Sequence, residues 1–296
     1  MALRIATIGR NGQVAQALAS RAALEPDITL LQASSAEADL RDPDSLARFI
    51  DGAAPHIVIN TGAYNNLDKA EAEPELAFAI NAEGPRALAR LCAARDIGFV
   101  HMSTDCVFDG TKDGPYVETD APNPLSVYGR SKLAGELAVL KDSPIALVTR
   151  VCWVFSEYGD NFVSKMIGLA RTRPELRVVD DQSGPPTYAP DIATALIAIA
   201  RRKQAMPINH CGLLHLAAPG QMDRASMARA IMEESRRQGG PFTPVLPVST
   251  AEFGAPARRP ANARLGGMMA TRMLGLEWTP WEQALEESVR GVLARG

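Results

Sequence analysis

Three short signals in this chain carry chemistry. Gly9-Arg10-Asn11-Gly12-Gln13-Val14-Ala15 directly follows a short apolar run and opens a helical pattern. Glycines there let the backbone turn tightly against a pyrophosphate, which then sits at a helix N-terminus where unpaired N–H groups favour anions. Ala15 is small enough for helix and strand to pack closely. Tyr128 and Lys132 are four residues apart, the spacing that puts two side chains on one helix face. A phenol ionises near pH 10, and a neighbouring ammonium favours the phenolate and eases proton exchange at neutral pH. Tyr128 can then protonate a developing alkoxide while Lys132 holds a nicotinamide ribose. Such pairs are common on helices, and this one gains weight from the glycine loop and from Ser103-Thr104 at the end of another apolar run.

The dinucleotide is expected to be NADPH, with NADH left open. An NAD site usually has Asp or Glu at the end of the second strand to hold the ribose 2′-OH. Gln32-Ala33-Ser34-Ser35 offers no acid, and Arg10 inside the loop can pair with a 2′-phosphate. The alternative is an Arg10 that faces solvent and a site that accepts both cofactors. Asp39-Leu40 is a candidate adenine contact, and Asp39 reads equally as a turn residue.

These residues need a scaffold. Leu3–Ile8, Ile28–Gln32, His56–Asn60, Gly98–Met102 and Ala146–Val151 read as buried strands. Helical patterns at Gln13–Ala23, Asp44–Asp51, Pro74–Arg95 and Tyr128–Leu140 alternate with them. Alternation of this kind predicts an α/β fold, a Rossmann doubly wound parallel sheet covered on both faces. Later segments read as helices at Asn161–Arg173, Pro190–Lys203, Met222–Gln238 and Trp281–Ala294, with strands at Leu176–Val179 and Gly212–Leu216. The expected division is a dinucleotide domain over residues 1–155, to which segments near 187–218 return, and a smaller α/β substrate domain mainly over 156–296.

Composition excludes several classes. The 296 residues suit two domains, and a net charge of -3 gives no motive for binding a nucleic-acid polymer. No signal-peptide pattern and no apolar run near the ~20 residues of a membrane span is present, so a cytoplasmic protein with no membrane partner is expected. The four cysteines, Cys92, Cys106, Cys152 and Cys211, are spread apart and read as reduced core thiols. His56, His101, His210 and His215 lack metal-ligand spacing and read as structural; no metal is expected. A homodimer is left open.

Several segments resemble the extended short-chain dehydrogenase/reductase family, and within it the reductases of nucleotide-linked 4-keto-6-deoxy sugars. They include GRNGQV at 9–14, DKAE at 68–71, STDCVF at 103–108, VYGRSK at 127–132, TRVCWVF at 149–155, DQSGPPT at 181–187 and ARRPANARL at 257–265. The resemblance runs in order along nearly the whole chain. It implies hydride delivery from NADPH to C4 of a nucleotide sugar, most closely dTDP-4-dehydro-L-rhamnose. By match, Tyr128 is the proton donor, Lys132 its partner and Thr104 a hydrogen-bond donor to the substrate. Trp153 resembles a family tryptophan lining the sugar pocket, and Asp105 contacts the sugar or sets its loop. Thr61-Gly62-Ala63 is expected to approach the cofactor. Arg258 or Arg259 is expected at the diphosphate, the alternative being an ion pair between domains.

Departures from the family pattern cluster where the sugar should lie. Cys106 replaces a usual Tyr, Val151-Cys152 precedes Trp153 in place of Thr-Ser, Ser183 replaces Phe, and Asn65-Asn66-Leu67 precede the DKAE segment. Cys106 and Asn65 are therefore candidate substrate contacts. Two other readings compete: a nucleotide-sugar epimerase or dehydratase, and a non-catalytic NADP-binding regulatory protein resembling the β subunit of methionine adenosyltransferase.

Overall fold

The computed structural model describes residues 2–205 and 212–295, so His210 and Cys211 lie outside the described residues. The first half runs β1 (Leu3–Ile8), α1 (Gln13–Ala22), β2 (Ile28–Ala33), α2 (Pro43–Ala53), β3 (Ile57–Asn60), α3 (Leu67–Ala72), α4 (Pro74–Phe78), α5 (Gly84–Ala93), β4 (Gly98–Thr104), α6 (Val127–Asp142) and β5 (Leu147–Val151). It continues with β6 (Val154–Phe155), α7 (Phe162–Ala170), β7 (Leu176–Val179), β8 (Ser183–Gly184), β9 (Thr187–Tyr188), α8 (Ala189–Ala205) and β10 (Leu213–Leu216). The last elements are β11 (Met222–Asp223), α9 (Arg224–Arg237), β12 (Val245–Val248), α10 (Thr250–Phe253), α11 (Met268–Leu274) and α12 (Trp281–Arg295).

Six strands form one parallel sheet in the order β10-β5-β4-β3-β1-β2, the Rossmann arrangement expected from the sequence. Alternate residues feed opposite faces. Ile57 and Ile59 of β3 pack with Leu18 of α1 and Ile192 and Leu196 of α8, whereas Val58 packs with Leu46 and Ile50 of α2 and Leu88 of α5. Ile8 lies opposite both Ala33 and Asn60, and Thr104 opposite Val151, so the carboxyl ends share one edge. The chain order reverses between β1 and β3, where doubly wound folds bind ligands. A third cluster, including Phe155, Ile167, Val178, Ile231 and Val289, joins α7, β7, α9 and α12.

Three expectations need correction. The helix expected over Pro74–Arg95 is broken into α4, a π-helical turn at Ala79–Glu83, and α5. Pro85 has no N–H for the residue 81 carbonyl, so the regular ladder cannot continue through it. That carbonyl instead abuts Gly135 of α6, where an added Cβ would overlap it. Second, Met222–Asp223 pairs with β8, and α9 begins only at Arg224, with Asp223 accepting from the Ser226 N–H at 2.7 Å. Third, His56 precedes β3, is exposed, and accepts from the Arg4 N–H, while His101 and His215 are buried.

Candidate active site

The glycine loop is built for close approach. Gly9 has φ of +101°, and a Cβ there would stand 2.8 Å from the Gly62 nitrogen. Thr61 locks this contact by donating from Oγ1 to the carbonyls of Ile8 at 2.9 Å and Gly9 at 3.1 Å. Gly12 then caps α1 with no side-chain hydrogen bond, and the first turn holds no acid. The first N–H groups of α1 are thus left for an anion. A Cβ on Gly12 would meet nothing within 4 Å, so the groove beside it is open. Gly12, Gln13, Val14, Ala15, Thr61 and Ala63 line a cavity of about 810 Å³. An uncapped helix end, an open glycine and small neighbours fit the pyrophosphate of a dinucleotide.

The same cavity reaches Thr104, Asp105, Cys106, Tyr128, Lys132, Trp153 and Asn65. The start of α6 is fixed twice: Ser126 accepts from the Gly129 N–H at 3.1 Å, and Glu71 accepts from the Val127 N–H at 2.8 Å. Farther along, Glu136 and Arg150 form a buried bidentate pair at 2.6 and 2.9 Å that ties α6 to β5. Tyr128 and Lys132 share the cavity-facing side of α6, as their spacing requires.

Their electrostatics differ from the expectation. Burial raises the Tyr128 pKa, Cys106 and Asp105 add to the rise, and only the Thr104 hydroxyl opposes it. The Lys132 ammonium, in the same cavity, does not offset this rise. Its Nζ donates instead to the Met102 carbonyl at 2.6 Å and stands 3.4 Å from His101 Nε2. Burial lowers Lys132 to about 8. Tyr128 is therefore a protonated phenol, suited to giving a proton rather than taking one. Thr104 donates to Asp105 Oδ1 at 2.9 Å and accepts from the Cys106 N–H at 3.2 Å. Asp105 is only 7% exposed, and burial pushes it up to about 6 against the Thr104 hydrogen bond and the Arg224 charge. The Cys106 thiol is pushed up by burial and by Asp105, which argues against a nucleophilic thiolate.

The chain matches the family described as RmlD substrate binding domain over residues 3–293. It belongs to that family. Among curated relatives, the dTDP-4-dehydrorhamnose reductase of Sinorhizobium fredii is 42% identical over 295 residues, covering 99% of each chain. The one from Burkholderia thailandensis is 38% identical, covering 99% of this chain and 100% of the relative. The solved structure of the Bacillus anthracis dTDP-4-dehydrorhamnose reductase in complex with NADP superposes with a TM-score of 0.87 at 31% identity, with full coverage of both chains.

For this member of the RmlD family, several anticipated contacts lie elsewhere. Arg258 is exposed and does not line the cavity; its neighbour Arg259 does, held by Asp68 at 3.0 Å. Gly9, Asn11 and Gly62 shape the loop without lining the cavity, the Asn11 carbonyl accepting from Gln16 at 2.7 Å. Arg10 pairs with Glu37 at 3.2 Å, and Glu37 also accepts from the Ser34 N–H and hydroxyl. The acid missing from the end of β2 is thus supplied four residues past it. Asp39 is held by Arg41 at 2.6 Å, and Leu40 packs under Gly62 and Gly84. Of the departures from the pattern, Asn65, Leu67, Cys106, Val151 and Cys152 line the cavity; Ser183 and Asn66 do not, Asn66 being the cap of α3.

Sequence reading passed over Arg224, Lys165 and Arg177, all of which line the cavity. Each stands on an element far along the chain, and no local motif marks it. Trp153 has φ of +44°, a left-handed backbone unusual for a large residue. Gly184 lies so close to its indole that a Cβ would stand 2.7 Å from the ring.

Proposed function

We propose that this protein reduces the C4 keto group of dTDP-4-dehydro-L-rhamnose with NADPH, giving dTDP-L-rhamnose. The observation that carries this reading is the convergence of Tyr128, Thr104 and Lys132 on the cavity that also receives the uncapped start of α1. The names of the curated relatives and the NADP in the Bacillus anthracis structure support it.

NADPH supplies the hydride that reaches C4. The N–H groups of Gly12, Gln13 and Val14 would hold its pyrophosphate, with Gly9, Asn11, Thr61, Gly62 and Ala63 keeping the approach clear. Lys132 would hold the nicotinamide ribose, Arg10 the 2′-phosphate, and Asp39 and Leu40 the adenine side. Thr104 orients the sugar carbonyl, and the Tyr128 phenol passes its proton to the C4 oxygen as the hydride arrives. Asn65, Asp105, Cys106 and Trp153 would surround the sugar, and of the two arginines offered for the diphosphate Arg259, which lines the cavity, would meet it rather than Arg258. In this reading residues 1–155, with 187–218, serve the cofactor, and 156–296 mainly serve the substrate.

The test is turnover of dTDP-4-dehydro-L-rhamnose with NADPH, followed by loss of NADPH absorbance, for wild type and Tyr128→Phe. We expect turnover by wild type and a loss of about 100-fold or more in the variant. Wild-type protein that binds NADPH yet turns over no keto sugar would overturn the reading in favour of a regulatory role.

A further inference from the structure

Three arginines line the cavity, and two of them have carboxylate partners. Arg259 pairs with Asp68 at 3.0 Å and Arg177 with Glu252 at 2.7 Å. Arg224 has none among the described residues. Its one side-chain acceptor in reach is the Met227 thioether, 4.0 Å from Nη1 and weak by nature. Instead the guanidinium lies over aromatic rings, with Cζ 3.6 Å from the centroid of Trp153 and 5.0 Å from that of Phe162.

A guanidinium presents five N–H donors in a planar fork. Stacking on an indole stabilises the cation but satisfies none of those donors. Arg224 is half-buried and lines the cavity with no protein acceptor stronger than a thioether, so a ligand that brings oxygens gains charge-assisted hydrogen bonds there. The platform is closely packed. Trp153 is held in its left-handed backbone conformation, and Gly184 closes on its ring. Asp223, the residue before Arg224, caps α9 and so fixes the root of the arginine.

We propose that Arg224 is a specificity-determining residue that hydrogen-bonds oxygens of the hexose in the nucleotide sugar. Its position favours the sugar over the diphosphate. Arg224 shares its field with Asp105, Cys106 and Cys152, which surround Thr104 and Trp153. Thr104 acts on the Tyr128 phenol, so a carbonyl in reach of that phenol brings its ring to the same place. Lys165 and Arg177 charge the cavity from α7 and β7, and Arg259 adds a third cation outside those elements. Arg224 thus orients hydroxyl or ring oxygens of a sugar whose keto group faces Tyr128.

The inference rests on the nucleotide-sugar reading, and the experiment separates the two. Binding of dTDP and of the product dTDP-L-rhamnose is measured by calorimetry on NADP-loaded protein, for wild type, Arg224→Met and Arg224→Lys. Met keeps an unbranched stem without donors; Lys keeps charge and donors without the planar fork. In Arg224→Met we expect dTDP-L-rhamnose to bind about 10- to 100-fold more weakly, from loss of charge-assisted hydrogen bonds, while dTDP changes less than about twofold. Lys should recover part of the loss. Equal weakening of both ligands would place Arg224 at the diphosphate and overturn the proposal. No change in either would reduce Arg224 to a lid on Trp153 and overturn it as well. Wild-type protein that binds dTDP but not its rhamnosyl form would sink the functional reading and this inference together.

Discussion

Lys132 Nζ stands 3.4 Å from Nε2 of His101, a buried histidine of β4. Asn60 fixes the histidine's tautomer. Its Oδ1 accepts from the Gly62 N–H at 3.1 Å, so its Nδ2 faces His101 Nδ1, also at 3.1 Å, and the ring proton is assigned to Nε2. Burial and the Lys132 charge together keep His101 neutral, its pKa well below 6.5. The hydrogen-bonded chain from the Gly62 N–H therefore ends at His101, because its Nε2–H and the Lys132 ammonium are both donors, and the lysine's acceptor is the Met102 carbonyl.

The burial of Lys132 has a consequence for pH. Burial moves Lys132 from 10.5 down to about 8, with Glu136 opposing the shift. The ammonium, the form that attracts a ribose hydroxyl, is lost as pH rises through that value. We expect kcat/KM to fall above a pH of about 8 in the wild-type protein. Lys132→Arg should lower the plateau but remove this alkaline limb, because a guanidinium does not titrate there. A wild-type profile flat to pH 10 would count against the assignment.

Asp105 bears on stability with the opposite sign from most carboxylates. Its folded value of about 6 exceeds the ordinary 3.8, so the folded protein holds the extra proton between those values. Stability contributed by this group is full below pH 4 and is lost as pH rises to about 6, with the deficit persisting above. A gap of about two units corresponds to about 3 kcal/mol. Asp105→Asn removes that penalty, in which the opposing Arg224 charge is already counted, for a gain of up to about 3 kcal/mol at pH 7.5. Thermal denaturation at pH 7.5 and pH 4.5 checks it: the rise in Tm should be clearly larger at the higher pH, while turnover falls.

The six-stranded sheet was legible because continuous apolar runs and amphipathic helices are local patterns, and so were Gly9–Ala15, Thr104 and the Tyr128–Lys132 pair. What stayed hidden depends on residues brought together from afar. The Pro85 break in the third helical run is visible only as a Gly-Pro pair until Gly135 shows why α6 needs it. Glu37 escaped notice because the chain turns at Ser34, just past β2, before presenting it to Arg10. Arg224 looked like one charge on an amphipathic helix, and nothing local in the sequence placed it over Trp153, 71 residues earlier.

The Arg10–Glu37 pair sets a prediction about cofactor preference. While Glu37 holds Arg10, its carboxylate opposes a 2′-phosphate and can accept from a 2′-hydroxyl. Both side chains are about half exposed, at 48% and 49%, so the effect is modest. Glu37→Gln should raise the ratio of kcat/KM for NADPH over NADH by about two- to fivefold, and Arg10→Met should lower it by a similar factor. An unchanged ratio in both variants would remove the pair from cofactor selection.

Two glycines separate folding from binding. At Gly135 an added Cβ would overlap the Asn81 carbonyl, and Asn81 also donates to Ser131 at 3.0 Å and accepts from the Tyr64 N–H at 2.8 Å. Gly135→Ala must push α6 away from the π-helical turn, and should destabilise the protein by about 1–3 kcal/mol. At Gly12 the backbone is extended, φ of -70°, and a Cβ would meet nothing within 4 Å. Gly12→Ala should therefore leave Tm nearly unchanged. Its methyl would instead project into the groove where a pyrophosphate approaches the first N–H groups of α1, weakening NADPH binding by about tenfold or more. Measuring Tm and the NADPH Kd for both variants checks the contrast. A Gly12→Ala protein that binds NADPH as tightly as wild type would show that the pyrophosphate does not lie against this turn.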